Sequence, residues 1–310
     1  MCNPLTPAPF RATGTDAADG GPSGTGPSGR KGYPPAPEPL PVPVMDNHTH
    51  LDFPGADYSQ GGPAVSIKDA LDAAEAVGVQ GAVQVGCDLE SSRFTVQAVE
   101  QDSRLLGAVA LHPNDAPAYA ARGELEEALA EIEALAAHPR IRAIGETGLD
   151  FFRTEGEGLA QQRYSFRRHI DIAKRLGLAL QIHDRDAHND VVQVLREEGP
   201  PERVVFHCFS GGEDLARTCN SEGWYMSFAG TVTFKNAADL RAALAIADPG
   251  RLLVETDAPF LTPHPHRGRP NASYMVPYTV RAMAELTGRE LSGLCARLAE
   301  NTLQAYGSWD

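Results

Sequence analysis

The feature that most constrains this chain is an alternation. From Val44 onward, short runs of β-branched and apolar residues alternate with longer amphipathic runs, and eight of the short kind can be counted. They centre on VPVMD (42–46), GAVQVG (81–86), LLGAVALH (105–112), IRAIGE (141–146), LALQIH (178–183), RVVFHC (203–208), WYMSF (224–228) and LLVETD (252–257). Between them, stretches such as IKDALDAAEAVG, ELEEALAEIEALAAH, QQRYSFRRHIDIAKRLG and LRAALAIA space their apolar residues three and four apart, the period of a helix packed on one face. Eight strand-then-helix units over roughly 250 residues predict a (β/α)8 TIM barrel, a parallel sheet closed on itself with helices outside. An open doubly wound sheet fits the same alternation, so the placement of the chemistry has to decide between them.

That placement favours the barrel. His48 and His50, in DNHTHLD, lie two residues apart at the end of the first strand, and side chains alternate faces along a strand, so both imidazoles point the same way. Two neutral imidazoles on one face make half a site for a divalent metal. Similar residues end later strands: His112 the third, Glu146 the fourth, His183 the fifth and His207 the sixth, with Asp257 following the eighth. A single strand-end histidine is more often an ordinary loop residue. Six such positions in register are expected to converge, because closing a sheet gathers its C-terminal strand ends around one mouth.

Residues 1–43 are set apart by composition. Residues 1–44 hold 11 Pro and 7 Gly, three acidic and three basic residues, and few large apolar side chains, which predicts a disordered arm ahead of a single barrel domain over 44–310. GTGPSG at 24–29 matches a dinucleotide-binding glycine pattern in letters only, since no strand precedes it and no helix follows. No run resembles a signal-peptide core or a membrane span, so a cytoplasmic protein with no membrane partner is expected. Five scattered cysteines, without C-x-x-C spacing, read as reduced thiols. No G-x-S-x-G elbow is present, so a serine hydrolase has no visible nucleophile.

Other polar residues read as structural. His264 and His266 repeat the H-x-H spacing inside a proline-broken loop, where strand alternation does not apply. His138 at a helix end, His169 within a charged helix and His188 in a first turn suit surface or capping roles. Cys208 is expected to face the outer helices, opposite to its neighbour His207, and Asp186 to cap the helix opening at Ala187.

Seven segments occurring in order, DNHTHLD, LHP (111–113), GETGLDFF (145–152), IHDRDA (182–187), FHCFSGG (206–212), GTVTFKNA (230–237) and ETDAPFLTPHPHRGRPN (255–271), together resemble the TatD family of metal-dependent hydrolases. The resemblance covers essentially all of residues 44–306. It implies an amidohydrolase-type barrel and two divalent metal ions: one held by His48, His50, Glu146 and Asp257, the other by Glu146, His183 and His207, with Glu146 bridging. A carboxylate has two oxygens and can span two cations, which an imidazole cannot. His112 and Asp150 fall in family motifs and are assigned either substrate-positioning or ligand-supporting roles. Arg185, Lys235 and Arg267 lie in motifs on mouth-side loops, where they could clamp phosphate oxygens or simply be solvated. Magnesium is the ion usually associated with the family; imidazole with carboxylate equally suits zinc, manganese or iron.

The resemblance further implies a deoxyribonuclease, hydrolysing phosphodiester bonds with metal assistance, in which Asp257 serves as proton acceptor or only as a ligand. Net charge is −14, and since the arm is neutral the acidic excess lies on the barrel, so a local cationic mouth would suit DNA ends or short single strands better than a duplex. A D-aminoacyl-tRNA deacylase, with tRNA as partner, would use the same metals and barrel; a non-catalytic binding module is the remaining alternative.

Overall fold

The structure, a computed structural model, describes residues 32–52 and 65–309 together with residue 7. All eight expected strands form: β1 (Val44–Thr49), β2 (Val79–Gly86), β3 (Leu105–Val109), β4 (Ile141–Asp150), β5 (Ala179–Arg185), β6 (Val204–Phe206), β7 (Tyr225–Phe228) and β8 (Leu252–Val254). They pair in chain order, every neighbour parallel. The first and last strands then meet through a parallel bridge between Thr49 and Ala258. His48 O accepts from Asp257 N at 2.9 Å, and His50 N donates to Ala258 O at 2.8 Å. Asn47 Nδ2 adds a bond of 2.7 Å to Val254 O. The fold is therefore a (β/α)8 barrel, with the open sheet eliminated.

Among the described residues, ten α-helices cover the outside: α1 (Ile67–Glu75), α2 (Leu89–Gln101), α3 (Ala116–Ala121), α4 (Leu125–Ala136), α5 (Gly158–Leu176), α6 (His188–Glu198), α7 (Glu213–Glu222), α8 (Ala238–Ile246), α9 (Val276–Thr287) and α10 (Leu291–Tyr306). Some starts are capped locally: Asp88 and Ser91 form a reciprocal capping box at α2, and Ser66 accepts from Asp69 N at α1, so orphan N–H groups are satisfied at those two helices. No described helix is long and apolar enough to cross a membrane.

The core has two layers. The outer one joins the helices' apolar faces to outward strand residues such as Ile144, Ile182 and Phe206. The inner one fills the barrel with Val83, Val85, Leu106, Val205 and Leu253, and Tyr306 of α10 packs against it from below. Tyr306 is fixed there by the Gln181 amide, which donates to its hydroxyl at 2.9 Å, and Trp309 donates to Arg104 O at 2.8 Å. The end of the chain thus stoppers the bottom of the barrel, leaving the C-terminal mouth for chemistry.

Gly148 sets the height of the site. A Cβ at this position would lie 2.0 Å from His183 O, and its φ of +146° suits only glycine. That close approach lets β4 pair Gly148 with His183 and brings Glu146 beside the imidazole of β5.

Two expectations are corrected here. Composition predicts a disordered arm as far as residue 43, but residues 32–43 lie against the barrel, with Tyr33 and Leu40 buried in the outer core. Prolines lack N–H groups, so this strap offers mainly acceptors, and the barrel supplies donors. Tyr274 donates to Pro34 O at 2.7 Å, Arg269 to Gly32 O and Tyr33 O at 2.6 Å each, and Arg281 to Glu38 O and Pro39 O. Composition does not register a segment stabilised by distant donors. The rest of the arm, with GTGPSG, lies outside the described residues apart from residue 7.

His169 is the second correction: it is completely buried, not on the surface. It occupies the apolar face of α5 with Phe166, Ile170 and Ala173. Its Nε2 accepts from Leu111 N at 3.2 Å and its Nδ1 lies 2.8 Å from Ser165 O, which assigns the neutral Nδ1–H tautomer. Burial lowers its pKa from 6.5 to about 4. The unfolded chain therefore takes up this proton first as pH falls: the stabilisation is complete above pH 6.5 and is lost as pH drops toward 4. At about 1.4 kcal/mol per pKa unit this amounts to about 3 kcal/mol. In urea unfolding, the stability gap between wild type and His169→Gln is expected to narrow over that window; a gap independent of pH would refute the assignment.

Candidate metal centre

The mouth brings together residues spread from position 48 to position 257. Nε2 of His48 and Nε2 of His50 lie 3.1 Å apart, on one side as strand alternation requires. Glu146, almost fully buried, stands between two groups of imidazoles. Its Oε2 lies 3.6 Å from His48 Nε2, while its Oε1 lies 2.5 Å from His183 Nδ1 and 2.7 Å from His207 Nε2. Asp257 Oδ1 is 3.5 Å from His50 Nε2 and 3.7 Å from His48 Nε2. The rings of His48 and His207 stack with centroids 4.0 Å apart.

Three of the four imidazoles have their other nitrogen held away from the centre. His50 Nδ1 is 3.0 Å from Val85 O, His207 Nδ1 is 3.3 Å from Glu255 Oε1, and His183 Nε2 is 3.3 Å from Asp150 Oδ2. An acceptor behind each ring fixes its tautomer and aims the remaining lone pair at the cluster. His48 is the exception, its buried Nδ1 having no hydrogen-bond partner among the described residues.

Electrostatics match this arrangement. Burial opposes ionisation of Glu146, yet His207, His112 and His183 hold its carboxyl well below the usual range. Asp257 is likewise lowered against burial by His50, His48 and His207. Burial works against a proton on His207, but Glu146 and Glu255 raise its pKa well above the ordinary value. His48 shifts down, through burial and the neighbouring His207. The centre is thus a set of ionised carboxylates screened by imidazoles, a donor set suited to divalent cations.

The predicted supporting residues divide. His112 joins the cluster, with Nε2 3.5 Å from Glu146 Oε1 and 3.3 Å from His183 Nδ1. Because its Nδ1 accepts from Asn114 N at 3.1 Å, its proton belongs on Nε2, so it presents a donor to the site. Asp150 is buried; it holds His183, accepts from Asn114 Nδ2 at 2.9 Å and takes the backbone N–H groups of Phe152 and Arg153. Arg185 lies 3.8 Å over the ring of Phe152 and Arg267 lies 3.9 Å over that of Phe234, while Lys235 is exposed. His266 packs on Tyr278 in its loop.

Cys208 and Asp186 do not follow expectation. His207 and Cys208 lie beyond the end of β6 at Phe206, where alternation has ceased, and Cys208 has a φ of +39°. Its N donates to Glu255 Oε1 at 2.6 Å, and burial together with Asp257 and Glu255 pushes its thiol pKa well up, so it belongs to the mouth. Asp186, with a φ of +57°, makes no cap, and α6 begins from Ala187 without a side-chain cap.

Three residues at the site were not anticipated. Glu255, fully buried behind His207, lies two positions from Asp257 in the ETD motif, and a period of two would have found it. Cys87 follows the C-terminal end of β2, a strand tip passed over, and its Sγ lies 3.6 Å from Glu146 Oε2. Asp46 accepts from Thr256 N at 2.8 Å and Thr256 Oγ1 at 2.6 Å, tying β1 to the ETD segment; burial raises its pKa to about 7 against those bonds. A cleft of about 1320 Å³ lies apart, beside α6, α7 and α8. Its acids Asp190, Glu213, Asp214 and Asp239 occupy the first turns of those helices, where the macrodipole favours negative charge.

Fold and donor set define a class, the metal-dependent hydrolase barrels. The family model described as TatD related DNase matches residues 45–307, and the chain belongs to the TatD family. It is 46% identical over 268 residues to the metal-dependent hydrolase TatD of Mycobacterium tuberculosis, covering 85% of this chain and 98% of that protein. Identity is 36% over 265 residues to the metal-dependent hydrolase YabD of Bacillus subtilis, covering 85% and 98%. Among solved structures, the TatD homologue YjjV of Escherichia coli superposes with a TM-score of 0.75 at 24% identity, over 86% of this chain and 98% of that one, a likeness of fold.

Losing an acceptor behind a ligand ring should loosen the centre without dismantling it. Asp150→Asn and Glu255→Gln are each expected to weaken divalent-metal affinity about ten- to a hundredfold, as read by competition with a chromophoric chelator. Affinities equal to wild type would show that these carboxylates do not orient their histidines.

Proposed function

We propose that the protein is a two-metal phosphodiesterase acting on DNA, cleaving at ends or within single strands. The observation that carries this reading is the division of Glu146: one oxygen faces His48, and the other faces His183 and His207. On one side Glu146 lies within ligating reach of His48 and His50, and on the other of His183, with His112 alongside as a hydrogen-bond donor. The residues present fit divalent ions, since the three pinned imidazoles can offer lone pairs inward and, among the described residues, no Lys or Arg pairs with the buried carboxylates of the centre. His48, His50, Glu146 and Asp257 would hold one ion, and Glu146, His183 and His207 the other.

Ions there would supply Lewis acidity, polarising a phosphoryl oxygen and making water acidic enough to attack near neutral pH. The chain's own residues do the remainder. Asp257, kept ionised by His50 and His48, stands ready to accept a proton at Oδ1. His112 offers its Nε2 proton to a developing negative oxygen. Arg185, at the C-terminal end of β5, and Arg267, on a loop, supply positive charge for flanking phosphates on a barrel that is acidic elsewhere. DNA as substrate is supported by the family's description; magnesium, zinc, manganese and iron are all compatible with the donors.

The test is hydrolysis of single-stranded and duplex oligodeoxynucleotides and of aminoacyl-tRNA by chelator-stripped protein with each metal restored. Turnover of single strands that vanishes on chelation and returns with metal is expected. Glu146→Ala should lower it by more than about a hundredfold, beyond what losing a supporting residue costs, with the circular dichroism spectrum unchanged. Undiminished turnover in that variant would remove the bridging role, and hydrolysis confined to aminoacyl esters would replace the substrate.

A further inference from the structure

Four side chains that hold the strap, Arg269, Tyr274, Tyr278 and Arg281, come from one stretch of chain. They differ in where they sit. Tyr278 and Arg281 belong to α9, whereas Arg269 belongs to the loop between β8 and α9 that also carries Asp257. Arg269 grips the strap twice, with Nε on Gly32 O and Nη2 on Tyr33 O at 2.6 Å each. Among the described residues it has no carboxylate partner, so the strap's carbonyls supply its acceptors. Its backbone is knit into the loop: its carbonyl accepts from Thr262 Oγ1 at 2.5 Å, and its N donates to His266 O at 3.2 Å. Two residues on, the fully buried Asn271 donates to Thr256 O at 3.0 Å and to Phe260 O at 2.6 Å, closing the loop on both sides of Asp257.

The loop needs holding. Asp257 and Leu261 have φ of +54° and +56°, left-handed values that a side chain disfavours, so contacts from elsewhere must keep the backbone that presents the Asp257 carboxylate. The bonds to His48 O and from His50 N fix residues 257 and 258 only, and the far end of the loop is left to Asn271 and Arg269. We infer that the strap, gripped by Arg269, clamps this loop and so makes residues 32–35 a positioning element for Asp257, an inference that rests on the ligand role proposed above. The strap lies ahead of the residues matched to the family, so the shared barrel does not account for it. A strap that merely adds stability is the plain alternative. It would make the loop donor Arg269 and the helix donor Arg281 equivalent, whereas a clamp makes them differ.

The experiment uses the full-length, chelator-stripped protein with zinc as the probe. Zinc affinity is read by competition with a chromophoric chelator, and loop order by amide hydrogen exchange over residues 258–271. Arg269→Gln, too short to reach both carbonyls, is expected to lose protection across that loop and to weaken zinc binding about tenfold, as losing a residue that orients a ligand does. Arg269→Lys, whose ammonium can donate to both, should restore most of it. Arg281→Gln should lower stability in urea while leaving loop exchange and zinc affinity unchanged. Tyr33→Ala removes the buried ring that anchors the strap beside Arg269. It should reproduce the Arg269→Gln defects, and the two changes together should cost no more than one. Zinc affinity equal to wild type in Arg269→Gln, or lost equally in Arg281→Gln, would overturn the clamp alone. A wild type that binds neither zinc nor manganese would overturn the ligand role of Asp257, and the clamp's effect on the centre with it.

Discussion

The structure depends on one closure, the seam where β1 meets the segment after β8. Asp46 binding Thr256, Asp257 N donating to His48 O and His50 N donating to Ala258 O convert a row of strand tips into a ring. Without that seam, His48 and Asp257 would stand at opposite edges of a sheet. With it, they lie 3.7 Å apart. The seam needs no hydrophobic side chains: it is made of backbone groups and a buried carboxyl, and burying such groups is tolerable only because each finds a partner. The apolar work is done elsewhere, by the barrel filling and by the helices packed outside.

Around the ring, the protein concentrates groups that are unfavourable to bury singly. Glu146 sits almost out of reach of water, and its ionised state is sustained by His207, His112 and His183. These mutual attractions offset desolvation but leave the inward lone pairs and a buried nitrogen of His48 without full satisfaction. Such an incompletely satisfied polar cluster in an otherwise well-paired core marks a place where function has overridden packing.

The eight strands were legible because parallel strands buried on both faces read as continuous apolar runs, and the helices between them because their apolar residues recur at the helical period. The expected ligand positions were legible for the same reason, as polar residues ending apolar runs. Glu255 and Cys87 were not, one overshadowed by its neighbour in the same motif and the other a residue type seldom weighed at a strand tip. Cys208 was misplaced because alternation was carried one residue too far, past the end of β6. His169 was misplaced because the charged residues around it describe the outer face of α5, whereas its own position lies on the inner one.

By itself, the sequence determined the period of every element, the order in which they follow one another and the chemical types available at each strand end, since these are local properties of neighbouring residues. Tertiary structure alone decided which nitrogen of each histidine faces inward, that Asp150 is buried against His183, and that residues 32–43 are strapped to the barrel. Those outcomes depend on partners more than a hundred positions away in several cases, as between Tyr274 and Pro34, and on hydrogen bonds whose direction no local pattern encodes.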